Sequence, residues 1–240
     1  MIYAVMSQKG GSGKTTVSVN LAAALANKKK KVLLVDADQQ ANSTYTLGVD
    51  SVQYSLVDVF KGKCKVAAAI IPGKIDLLTV TSEIMGQSVK PDAFKKALAG
   101  LSYDYVIIDC PPGFTEVTKA VILAADRIIL PVNMDVYGLQ SISQFSGIYE
   151  QAKEVNKGLK VSGIVRCKYQ TRRNITKQVD KMLEEGAKYL GTKIYKSALR
   201  ECLAVRESAL FRKSIFDYAP KSTAAADFEE FTKEIMKERK

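Results

Sequence analysis

The nine residues Gln8-Lys9-Gly10-Gly11-Ser12-Gly13-Lys14-Thr15-Thr16 constrain this chain more than any other stretch. Before them runs Ile2 to Met6, short and apolar as a buried strand is. After them Val17 to Ala26, rich in Ala, Leu and Val, reads as a helix. Strand, glycine loop and helix in that order turn a glycine pattern into a phosphate cradle. The glycines let backbone N–H groups turn inward, and the start of the helix adds unpaired amides at the positive end of its dipole. In such a loop Lys14 reaches the β- and γ-phosphates of a nucleoside triphosphate, and the Thr15 hydroxyl ligates Mg²⁺.

The rest of the composition narrows the chemistry. The 240 residues hold one α/β domain and leave little for a second. No apolar run approaches the roughly 18 residues of a membrane span. The first residues enter a strand directly, so no signal peptide is expected. Cys64, Cys110, Cys167 and Cys202 have no paired spacing, which fits a reducing, cytoplasmic setting and argues against structural zinc. There is no histidine, which removes imidazole acid–base chemistry and leaves carboxylates, lysines and Mg²⁺. Net charge is +11, and residues 160–213 carry fourteen Lys/Arg against five Asp/Glu. So concentrated an excess suits a polyanion partner, and it equally suits a solvated surface tuned for solubility.

Further along, Lys31 to Asp36 reads as a second strand that delivers Asp36-Ala37-Asp38 at its carboxyl end, where open parallel sheets bind ligands. Short helices are expected over Tyr54–Phe60 and Cys64–Ile71, a strand over Ile75–Val80, and a helix over Pro91–Ala99. Tyr105-Val106-Ile107-Ile108-Asp109 is an apolar strand ending in a carboxylate, the form of a Walker B element, and Asp109 would hold Mg²⁺ through a water. The rigid turn Cys110-Pro111-Pro112-Gly113 follows. Cys110 has no group beside it to lower its thiol pKa, so it reads as a packing residue. A helix over Thr115–Ala125, a strand over Arg127–Val132, a long helix over Gly138–Asn156 and a strand over Val161–Cys167 come next. The last helix spans about Thr223–Lys237 with Phe228, Phe231 and Ile235 on one face. Its surroundings carry a slight negative charge, wrong for an anionic membrane surface, so it is expected to dock on its own domain.

Lys9 is one charge more than a plain P-loop needs. With it, the chain resembles the ParA/MinD family of deviant Walker-A ATPases over nearly its whole length. The resemblance implies a single-domain P-loop NTPase of the α/β class, with a mostly parallel twisted sheet and helices on both faces. It implies ATP and Mg²⁺ as ligands, bound by Lys9, Gly10, Gly11, Ser12, Gly13, Lys14, Thr15 and Thr16. In this family the added lysine crosses a dimer interface to the partner's nucleotide, so two chains would sandwich two ATP molecules. Asp38 matches the carboxylate that orients the attacking water beside the metal, and Asp36 belongs to the same switch. Gln39 and Ala41 depart there from the family's Pro and Gly, which puts the stiffness of that loop in question. Pro111, Pro112 and Gly113 resemble a second switch, in which an N–H near the γ-phosphate senses its loss. The backbone around Pro220 would border the adenine.

The same resemblance points to nonspecific double-stranded DNA as a partner, through Arg172, Arg173, Arg200, Arg206, Arg212 and Lys213. Arg212 stands where relatives commonly have glycine, and Arg200 and Arg206 could instead pair with Glu201 and Glu207. Phosphate contacts need only positive charge within reach. The function implied is an ATPase for plasmid or chromosome partition. Its ATP dimer would bind nucleoid DNA, and a ParB-like centromere-binding protein would stimulate hydrolysis. No amino-terminal DNA-reading domain and no membrane partner are expected. A ParA-like positioner of a protein cargo, a MinD-type membrane switch and a DNA-binding module without catalysis are the alternatives. Nitrogenase-type reductases share the loop but need cluster-ligating cysteines, and Cys110 has no evident mate.

Overall fold

A computed structural model describes residues 1–84, 88–170 and 174–238, without the side chains of 136–139, 141 and 174–178. Seven strands, β1 (Ile2–Val5), β2 (Val32–Asp36), β3 (Asp76–Thr79), β4 (Tyr105–Asp109), β5 (Arg127–Asn133), β6 (Lys160–Tyr169) and β7 (Ile194–Arg200), form one sheet in the order β3-β2-β4-β1-β5-β6-β7. Every named pairing is parallel, where the sequence implied a mostly parallel sheet. Parallel strands need long crossovers, and helices supply them. They are α1 (Lys14–Asn27), α2 (Asn42–Thr46), α3 (Leu56–Phe60), α4 (Val66–Ala69), α5 (Ala93–Leu98), α6 (Glu116–Ala124), α7 (Val136–Val155), α8 (Asn174–Tyr189), α9 (Leu203–Leu210), α10 (Ile215–Tyr218) and α11 (Thr223–Lys237).

Two cores result, one on each face of the sheet. Successive side chains of a strand point to opposite faces, so Ala4, Leu33, Val35, Val106 and Ile108 join one core, with Phe94, Val121 and Phe145. Tyr3, Val5, Leu34, Tyr105 and Ile107 join the other, with Leu21, Phe228 and Phe231. The central strands are apolar on both sides for this reason. Caps fix several helix starts. Thr115 accepts from the Thr118 amide at α6, Ser222 from the Ala225 amide at α11, and Ser55 forms a capping box with Asp58 at α3.

The last helix docks on its own domain, as its apolar face requires. Phe228, Phe231 and Ile235 are buried, and Phe231 meets Tyr195 edge-on at 4.9 Å. Its acidic residues have a second use. Glu234 accepts the amides of Lys196 and Ser197, and Asp227 accepts the amide of Arg200. These three donors belong to β7, the edge strand. Glu238, at the end of the helix, accepts from Tyr3, Ser162 and Tyr195 and pairs with Lys193 at 2.7 Å. Among the described residues no helix is long and apolar enough to cross a membrane.

Candidate nucleotide and metal site

Register builds the site. β4 lies between β2 and β1, and Asp109 stands level with Asp36 on one side and Val5 on the other. The glycine loop leaves β1 just beyond Val5, so both carboxylates come out beside it at the carboxyl ends of the strands, where ligands bind in such sheets. Gly13 precedes α1 with φ 100°, and no side chain caps that helix. Gly11 has φ 70°. A side chain at either would be strained, and a Cβ on Gly13 would also lie 3.3 Å from Cys167 Sγ. The loop is steadied from β5 and β6: Asn133 Nδ2 (3.3 Å) and Lys168 Nζ (3.2 Å) both donate to the Gly11 carbonyl. Sequence reading missed these two, although both stand at or beyond the ends of predicted strands.

Lys14 is buried, and its ammonium donates to the Lys9 carbonyl at 3.2 Å, arching back over the loop. Burial lowers its pKa, against the opposing pull of Asp109, Cys110 and Asp38. Lys9 extends outward, with its ammonium 3.9 Å from Asp135. Asp109 is fully buried. Ser43 Oγ donates to it at 2.7 Å and Ser18 Oγ at 3.2 Å. Burial, and then the charge of Asp36, push its carboxyl up to about 7, against the hydrogen bond from Ser43 and the charge of Lys14. Asp36 accepts both the amide and the hydroxyl of Thr44 at 2.8 Å. Burial still raises it to about 6. Cys110 is buried, and desolvation raises its thiol, as a packing residue's should be. All four cysteines are free.

Asp38 begins a tight turn. Its carboxylate accepts the Gln40 amide at 3.0 Å, and its carbonyl accepts the Ala41 amide at 2.9 Å. Ala41 then sits at φ 50°, ψ 38°, the left-handed conformation that glycine enters freely. Both departures from the family segment therefore leave Asp36 and Asp38 buried at the strand end. Gly113, after Pro111 and Pro112, has φ 82°. Its carbonyl accepts the Thr118 hydroxyl at 3.2 Å.

These residues fit a metal–nucleotide complex. Two buried carboxylates with raised pKa values form a place that favours a cation. Two hydroxyls, of Ser18 and Ser43, already converge on Asp109, and the Ser12, Ser7 and Asn133 side chains keep buried oxygens without partners. Among the described residues no three His, Cys, Asp or Glu converge as a cage of their own. That suits Mg²⁺, which takes one or two protein ligands and completes its shell with phosphates and water. Beside Gly13 lies a hollow of about 120 Å³ lined in part by Thr16, Cys167, Cys202, Val205 and Phe228. Arg200 and Arg206 stand at its wall. Pro220 is exposed, in the turn before α11, and does not line it.

The basic residues are less free than composition implied. Arg200 is bound to Asp227 through Nε and Nη2, where the sequence offered Glu201 or Glu207. Arg206 pairs with Glu201 at 2.7 Å while its side chain stays 70% exposed. Arg212 turns onto α2 and pairs with Asp50 at 2.7 Å. Lys213 is exposed. Arg172 and Arg173 lie outside the described residues. Asp227 and Asp50 fall outside the span in which the charges were counted, so a window of sequence could not see them.

A glycine loop between β1 and an uncapped helix, with aspartates at the ends of the adjoining strands, defines the P-loop nucleotide-binding class. Comparison with known proteins carries this further. A family model described as an AAA domain matches residues 1–161. The sporulation initiation inhibitor protein Soj of Bacillus subtilis is 32% identical over 98% of this chain and 97% of its own length. The chromosome-partitioning ATPase Soj of Thermus thermophilus is 31% identical over 97% and 94%. The septum site-determining protein MinD of Pyrococcus horikoshii, solved in complex with Mg-ADP, superposes with a TM-score of 0.82 at 28% identity, covering 99% of this chain and 96% of that one. The chain belongs to the ParA/MinD family of P-loop ATPases.

Proposed function

We propose that this protein is a DNA-partitioning ATPase of the ParA type, working as an ATP-dependent dimer on nonspecific DNA. The observation that carries the reading is the junction of the loop with both switch segments. Ser18, one turn into the helix that follows the loop, and Ser43 of α2, which follows the first switch, both donate to Asp109, just before the second. A change at the phosphates would thus reach both switches at once. The Thermus thermophilus relative, named a chromosome-partitioning ATPase and matched over 97% of this chain, supports the partition role.

The residues divide the work. Amides of Gly10 to Thr16 and the Lys14 ammonium would hold the phosphates, and Thr15 and Asp109 would hold Mg²⁺, with Asp38 beside it. Mg²⁺ would supply charge neutralisation between the β- and γ-phosphates. Asp38 would orient the attacking water, Gly113 would offer its N–H to the γ-phosphate, and Lys9 would leave Asp135 for the nucleotide of the partner subunit. With so few groups to activate water, intrinsic turnover is slow, and a ParB-like partner supplies the missing alignment. Arg206 and Lys213 face solvent and, with Arg172 and Arg173, are the cations this reading gives to DNA.

The test is light scattering and plasmid retention with Mg²⁺ and a slowly cleaved ATP analogue. Wild type should dimerise and bind DNA of any sequence, and Lys9→Ala should do neither. A wild type that stays monomeric and ignores DNA would end the proposal.

A further inference from the structure

We propose that Arg212 is a positioning residue for the metal–nucleotide site, acting from outside it through α2. Three consecutive residues of that helix face three different partners. Ser43 donates to Asp109 at 2.7 Å. Thr44 gives its amide and hydroxyl to Asp36 at 2.8 Å. Tyr45 is held by Arg212, whose Nε donates to the Tyr45 carbonyl at 3.1 Å and whose guanidinium lies 4.9 Å over the Tyr45 ring. The same guanidinium reaches Asp50 at 2.7 Å, just past the end of the helix.

A helix of five residues cannot hold itself together in water. α2 must be placed by its contacts, and at its start Ala41 is already in an unfavourable left-handed conformation. Arg212 secures the other end. It does so from a backbone with φ 56°, a conformation that suits glycine and penalises an arginine. The turn carrying it is anchored from behind, because Phe211 stacks on Tyr218 at 5.4 Å. Fork geometry and ring stacking are what arginine offers and lysine does not. Stacked on Tyr45 and bonded to its carbonyl and to Asp50, the side chain is only 28% exposed. The consequence reaches the metal site. With the clamp gone, Ser43 and Thr44 lose their register, and Asp109 and Asp36 lose the hydrogen bonds that aim them. The loop amides, which need none of this, keep their phosphate contacts.

This rests on the proposed Mg²⁺–nucleotide site, and the experiment separates the two. Binding of a fluorescent ADP is measured with EDTA and then across a Mg²⁺ titration, for wild type, Arg212→Gly and Arg212→Gln. Loss of a residue that orients metal ligands raises the Mg²⁺ midpoint about tenfold, while affinity in EDTA stays as in wild type. The relaxed backbone of the glycine variant offsets part of the stability lost with the clamp, and unchanged affinity in EDTA shows that the variant is folded. The glutamine variant keeps the backbone cost and should show the same midpoint shift if glycine fails to fold. The chain has no tryptophan, so Tyr45→Trp places a single reporter under the guanidinium. Its emission should respond to Mg²⁺ with nucleotide and cease to do so when Arg212→Gly is added. Variants whose Mg²⁺ midpoint equals that of a Mg²⁺-responsive wild type would overturn the role of Arg212 alone. A wild type indifferent to Mg²⁺ would take down the site and this inference together.

Discussion

Changing Ala41 to glycine removes one methyl group from a half-buried turn and is expected to stabilise the protein. The residue has φ 50° and ψ 38°, where an L side chain crowds the following carbonyl at a cost of about 1–2 kcal/mol. Glycine avoids that clash but has more freedom to lose on folding, about 0.4–1 kcal/mol relative to alanine. The balance is a gain of about 0.5–1 kcal/mol. For a chain of this size each kcal/mol moves the melting point by about 2–4 °C, so the midpoint should rise by about 1–4 °C. Circular dichroism melts in EDTA, at two scan rates to establish reversibility, would measure it. Ala41→Val is the matching control, because a β-branched residue is still less at home with positive φ, and it should melt lower than wild type. A glycine variant that melts at or below the wild-type temperature would refute the reading of this turn as strained.

Other substitutions follow from neighbouring contacts. Gly13→Ala should abolish nucleotide binding. Adding Cys167→Ala should restore little of it, because relieving the 3.3 Å contact leaves the φ of 100° unsatisfied, and equilibrium dialysis would distinguish the two terms. Glu238→Ala strips the acceptor from Tyr3 and Tyr195 and the partner from Lys193. It should cost about 1–3 kcal/mol, read as a lower urea midpoint at unchanged slope. Burial acts to raise the Glu234 carboxyl, but bonds from the Ser197 hydroxyl and amide and the Lys196 amide outweigh it and hold it below its ordinary value of 4.5. A lowered carboxylate stabilises the fold fully above that ordinary value, and the benefit fades as pH falls through the native one. Wild type should therefore lose stability below pH 4.5 faster than Glu234→Gln, and parallel pH–stability curves would contradict the assignment.

The sequence was most readable where the chain is most buried. β1, β2, β4 and β5 are unbroken apolar runs because both faces of the central sheet are covered, and each ends in or beside a residue of the site. β7 escaped notice for the opposite reason. It lies at an edge, only Tyr195 and Leu199 of its seven residues are buried, and Lys196, Ser197 and Arg200 interrupt any apolar pattern. α2 was illegible too: Asn-Ser-Thr-Tyr-Thr has no apolar period, and its start is a non-glycine residue with positive φ. Yet it carries the hydroxyls on Asp109 and Asp36. The P-loop and its carboxylates could be read as local motifs. The arginine partners could not, since Asp227 and Asp50 approach only through the fold.

Both rims of the sheet are partly occupied by the chain's own groups. On the β7 side, acidic groups of α11 already occupy amide donors along the rim. On the β3 side, Ile71 exchanges both of its backbone hydrogen bonds with Leu77. Open rims are where crowded α/β proteins zip together by accident. With donors at both rims taken up, strand addition is disfavoured and association is steered toward the helices and loops, under the control of whatever rearranges those surfaces.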